Sequence, residues 1–82
     1  MKTNILINIT YAGQSGNWFT QCDPGVTDAN IRRLCEEAVR GGEVPGLSPA
    51  IPKNAFRHFV IDRFHGGDGQ ARFVVRPKVP FG

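Results

Sequence analysis

A chain of 82 residues has room for one hydrophobic core, because a domain of this size buries only about 60% of the surface its unfolded form exposes; a second domain is excluded. With 40% hydrophobic and 21% charged residues the composition is that of a globular domain, not of a disordered or fibrous chain. Ten basic against seven acidic residues give a net charge of +3, which permits an acidic partner without requiring one.

Residues 3–11 alternate, with Ile5, Ile7 and Ile9 on one side and Leu6, Asn8 and Thr10 on the other, the pattern of a half-buried strand. Ala12 to Asn17, with Gly13, Ser15 and Gly16, reads as a hairpin loop of several residues, and a second strand is expected from Trp18 to about Cys22. From Thr27 the period changes. Ile31, Leu34, Cys35, Ala38 and Val39 line one side of a helix, Thr27 is placed to cap it, and Gly41-Gly42 to stop it. Pro45, Gly46, Pro49 and Pro52 make 43–54 a crossover loop. Ala55 to Phe64 reads as a strand, Phe64 to Gln70 as a glycine-dense turn, and Ala71 to Arg76 as a last strand ended by Pro77.

Two hairpins around one helix predict a two-layer α+β fold, a four-stranded mixed sheet packed on one α-helix. The first and last strands would lie side by side in parallel, with the second and third at the edges. A ferredoxin-like or RNA-recognition fold is the rival, but it needs a second helix where the chain is rich in proline.

Candidate chemistry is sparse. Cys22, Cys35, His58 and His65 lack the paired short spacings of a zinc site, and Cys35 falls within the apolar stripe of the helix, where a thiol behaves as a small hydrophobe. No catalytic residue, metal or cofactor is expected. The glycines at 66, 67 and 69 join two strands instead of opening a helix, so they read as a hairpin turn and not as a phosphate loop. Asp62 and Asp68 read as surface charges. Arg57, Arg63, Arg72 and Arg76 alternate with Phe56, Phe59, Phe64 and Phe73. That alternation suits a nucleic-acid stacking platform, or more simply strands whose phenylalanines are core and whose arginines are solvated. The latter is preferred, so no nucleic acid is expected as a partner. No run approaches the ~20 apolar residues of a membrane helix and no signal-peptide h-region opens the chain, so a soluble cytoplasmic protein with reduced thiols and no membrane partner is expected.

Taken together, Ile5-Leu6-Ile7-Asn8-Ile9, the Val26-Thr27-Asp28 helix entry with Ile31 and Leu34, the exit Gly41-Gly42-Glu43-Val44-Pro45, and a last strand leading to Gly82 resemble the β-grasp family of ubiquitin-like proteins. The resemblance spans nearly the whole chain and implies a β-grasp domain over 1–76 with an extended tail over 77–82. It implies a protein modifier whose Gly82 carboxylate is activated by an E1-like enzyme and passed, through conjugation and deconjugation enzymes, to and from a target protein. Sulfur carriage as a thiocarboxylate is a variant of the same use. This chain ends Phe81-Gly82 where such modifiers usually end Gly-Gly, so Phe81, Pro80 and Lys78 are the expected tail-recognition residues. The resemblance also implies a partner surface on the open sheet face, with Leu6 and Val74 at its centre, Arg72 and Arg76 at its rim, and His58 nearby. A non-catalytic binding module, or a small subunit of a larger complex, is the alternative.

Overall fold

The computed structural model describes residues 2–23, 25–65 and 70–78. Its elements are β1 (Thr3–Tyr11), β2 (Gln14–Cys22), α1 (Asp28–Arg40), β3 (Val60–His65) and β4 (Ala71–Arg76). They form an α+β fold of one helix and a four-stranded mixed sheet in the order β2-β1-β4-β3. As the sequence predicts, β1 and β4 are the parallel central pair and the other two strands are the edges.

The first hairpin is tighter than the glycine and serine content of 12–17 suggests. Its loop is Ala12-Gly13 alone, both in the left-handed region with φ of 51° and 79°, which matches the twist of the flanking strands in a two-residue turn. β2 therefore begins at Gln14, and Tyr11 pairs with Gln14.

Helix α1 starts where Thr27 accepts a hydrogen bond from the Asn30 N–H at 3.2 Å. It stops at Gly41, after which Gly42 turns left-handed at φ 74°. There the Glu43 N–H bonds the Ala38 carbonyl and the Gly42 N–H bonds the Val39 carbonyl, both within 3.0 Å. Its buried residues are Ile31, Cys35, Ala38 and Val39. Leu34, expected in that stripe, is only half-buried and lies outside the core. At 100° per residue it sits roughly 85° round the helix from the mean direction of the other four.

The core joins this helix face to Ile5, Ile7 and Ile9 of β1, Cys22 of β2, Ile61 of β3 and Ala71, Phe73 and Val75 of β4. Val44, Leu47, Ile51 and Phe56 close it from the crossover. The third strand is shorter than expected. Residues 52–59 instead form successive turns, with Ala55 N–H to Pro52 O, Arg57 N–H to Asn54 O and Phe59 N–H to Phe56 O at 3.0–3.2 Å. The left-handed Asn54, at φ 61°, and the mutual packing of Tyr11, Phe56 and Phe59 rings at centroid distances of 5.0–6.0 Å hold this segment out of the sheet.

A candidate protein-docking face

Alternation along four strands decides which side chains the open face presents. Because Ile5, Ile7, Ile9, Ala71, Phe73 and Val75 point to the helix, their neighbours point away. The registers align those neighbours into rows. Phe19 of β2 lies opposite Leu6 of β1, Leu6 beside Arg72 of β4, and Arg72 opposite Phe64 of β3. One row of the sheet thus reads Phe19–Leu6–Arg72–Phe64. Phe19 and Phe64, 68% and 54% exposed, are the large hydrophobics most open to solvent among the described residues.

The next row reads Asn17–Asn8–Val74–Asp62. Asn8 Nδ2 donates to Asn17 Oδ1 at 2.8 Å, and in the row on the opposite side of Phe19–Leu6, Gln21 Nε2 donates to Asn4 Oδ1 at 2.9 Å. Amide pairs therefore flank the apolar row on the β1–β2 side. On the other side Arg76 Nε donates to Asp62 Oδ2 at 2.7 Å, neutralising the carboxylate of that row.

This arrangement corrects the expected patch. Leu6 and Val74 belong to different rows, so they do not form a direct pair. Arg72 is exposed and stands within the apolar row, between Leu6 and Phe64, instead of at its rim. Arg76 is engaged with Asp62. His58 is exposed on the turns before β3, not on a strand. Lys78 is exposed just beyond β4, while Pro80, Phe81 and Gly82 lie outside the described residues.

The expected division into core phenylalanines and solvated arginines holds only in part. Phe56 and Phe73 are buried and Phe59 packs against the core, but Phe64 faces solvent. Arg63 turns the other way, to the helix. Its Nη2 donates to the Val26 carbonyl and to Asp28 Oδ1, both at 2.6 Å, and the guanidinium lies 4.8 Å from the centre of the Phe73 ring. It ties β3 to the entry of α1, and the alternating Arg/Phe platform is not assembled.

Both cysteines are free thiols in the interior. Burial, and secondarily the neighbouring Cys22, push the Cys35 thiol up to about 12, so at neutral pH it carries its proton and is a poor nucleophile. Burial likewise raises Cys22. Both histidines are exposed while both thiols are buried. Among the described residues no three of His, Cys, Asp and Glu come together as a metal site. A hollow of about 390 Å³ runs between the outer side of α1 and residues 54–57. Two of its polar side chains serve the fold, with Arg32 Nε bonded to the Phe59 carbonyl at 2.8 Å and Glu36 accepting from the Asn54 N–H. No described helix is long and apolar enough to cross a membrane.

No family model, curated protein or solved structure matches the chain.

Proposed function

We propose that this chain is a β-grasp protein of the ubiquitin-like type, a modifier that is acted upon by other proteins and performs no chemistry itself. The observation that supports the reading best is the parallel pairing of β1 with β4 at the centre of the sheet, with α1 in the crossover between the two hairpins. The central last strand ends at Arg76, and the two residues that follow it, Pro77 and Lys78, are exposed. Pro77 cannot continue the ladder, because it has no backbone N–H to donate.

As a modifier, the chain would react through the carboxyl group of Gly82. Its carboxylate attacks the α-phosphate of ATP, giving an acyl-adenylate and releasing pyrophosphate. An E1-like enzyme's thiolate then displaces AMP to form a thioester, and a target amine displaces the thiol to form an amide. With no side chain, Gly82 fits a narrow channel and takes any backbone conformation the enzyme requires.

A non-catalytic binding module is the second reading, and the Phe19–Leu6–Arg72–Phe64 row favours it. An apolar centre crossed by one exposed cation fits a partner protein that offers an apolar ridge beside a carboxylate. Incubation with ATP and an E1-like activating enzyme, followed by intact-mass spectrometry, separates the two. A modifier forms an adduct through Gly82 that is lost when Gly82 is deleted. A partner interaction that survives deletion of Gly82 but fails in Arg72→Glu assigns the chain to the binding-module class.

A further inference from the structure

The two edges of the sheet are built differently. β3 is six residues long and carries Asp62, Arg63 and His65. β2 is nine residues long, Gln-Ser-Gly-Asn-Trp-Phe-Thr-Gln-Cys, with no charged residue and no proline. Charges, prolines and brevity are the devices that keep sheet edges from pairing with other chains. β3 has two of them and β2 has none.

We propose that β2 is a pairing edge, through which two copies of this chain associate antiparallel about a two-fold axis centred on Phe19. The occupant follows from the self-complementarity of the strand. Centring on Phe19 sets Phe19 against Phe19, Asn17 against Gln21 and Gln21 against Asn17 on the open face, with Trp18 against Thr20 on the other. The amides are already oriented for it. Asn17 uses its Oδ1 as acceptor for Asn8, and Gln21 uses its Nε2 as donor to Asn4. Among the described residues the Nδ2 of Asn17 and the Oε1 of Gln21 have no partner, so each copy offers a donor where the other offers an acceptor, twice over.

The backbone agrees. Counting the alternation of an antiparallel ladder from the Tyr11–Gln14 pair that closes the two-residue loop, the N–H and C=O groups of Asn17, Phe19 and Gln21 point away from β1, to the open edge. In the proposed register these are the groups that meet their two-fold mates. Pairing also covers Phe19, the most exposed large hydrophobic among the described residues. Each copy carries +3 overall, but no charge lies on the strand itself to oppose contact. The interface is isologous and uses the β2 edge of both copies, while the guarded β3 edges end the eight-stranded sheet. The assembly therefore closes as a dimer.

Sedimentation equilibrium of the full chain from micromolar to millimolar concentration tests this. The expected result is a reversible rise from 9.0 kDa to twice that mass, with no larger species. Phe19→Lys and Phe19→Glu each place like charges opposite one another and should remain at 9.0 kDa, while an equimolar mixture of the two should recover the doubled mass. On the parent chain, amide exchange at Asn17, Phe19 and Gln21 should slow as concentration rises, a reading that needs no variant to fold. A parent that stays monomeric at millimolar concentration, a dimer indifferent to Phe19→Lys, a mixture that fails to pair, or growth beyond the dimer would each overturn the proposal. None of these outcomes depends on whether Gly82 is conjugated.

Discussion

Gly16 lies on the core side of β2, opposite Ile9, where the crossover loop leans directly on the strand. A methyl group added there would overlap the Pro45 carbonyl oxygen and come within 2.9 Å of Val44 Cγ1 and 3.4 Å of Leu47 Cγ. The contact is reciprocal, because a methyl at Gly46 would stand 2.5 Å from the Ser15 carbonyl oxygen. Gly16→Ala must therefore push loop 44–47 outward and loosen Val44 and Leu47, which are 2% and 8% exposed. Overpacking of this kind costs about 1 to 3 kcal/mol. With an unfolding entropy of about 2.1 cal/mol/K per residue, an 82-residue chain loses roughly 6 °C of melting temperature per kcal/mol, so a fall of ~12 °C is expected at the middle of that range. Thermal unfolding followed by circular dichroism measures it. Amide chemical shifts should move at 44–47 in Gly16→Ala, whereas Gly13→Ala, with nothing within 4 Å and only the left-handed φ of 79° to pay for, should move shifts in the turn alone. A Gly16→Ala protein that melts within ~2 °C of the parent, its loop shifts unchanged, would refute the interlocking of strand and loop.

Ile31→Ala should cost about 2 to 5 kcal/mol, and Leu34→Ala clearly less, because the first side chain is fully buried and the second only half so; equal shifts in urea midpoint would contradict the assigned helix face. Arg63→Met should destabilise by about 1 to 2 kcal/mol through loss of the bonds to Val26 and Asp28, and an unchanged midpoint would show that β3 is held by other contacts. The Cys35 thiol has a folded pKa raised above its unfolded value, so its contribution is intact below the ordinary 9.0 and is lost as pH rises towards about 12, at about 1.4 kcal/mol per unit. Unfolding titrations of the parent and of Cys35→Ala between pH 7 and 11 should diverge in slope only above about pH 9; parallel curves would exclude this thiol as the source.

What could be read from the sequence was what depends on local period and punctuation. The isoleucine row of β1, the helix with its Thr27 cap and glycine stop, and the span of β4 all follow from spacing and from residues with one strong preference. In the first hairpin, what could not be read depended on a single number, the length of the loop. With Ala12-Gly13 as the whole turn, residue numbers across the hairpin sum to 25, and Phe19 must face Leu6. Reading the loop as 12–17 left that register open and hid the most exposed aromatic ring of the face. The signal was present, since Gly13 after a small residue suits a two-residue turn, but the serine and glycine that follow weakened it. On β3 the difficulty was the tertiary override of propensity: Ala55-Phe56 suits a strand, yet the ring cluster with Tyr11 draws it into turns. The parity of Arg63 and Phe64 depended on where that strand begins.

The parallel contact of β1 with β4 joins residues 5–9 to residues 71–75, so the two central strands of the sheet stand almost a full chain apart in sequence. During synthesis the first hairpin and the helix are available long before β4 emerges, and until it does Ile5, Ile7 and Ile9 lack the strand that completes their layer. Closing a loop of this length is entropically expensive, which makes the arrival of β4 the natural slow step of folding. A nascent chain stalled before Ala71 would present β1 as a second open edge, and a chaperone that binds extended apolar strands would find its substrate in that interval.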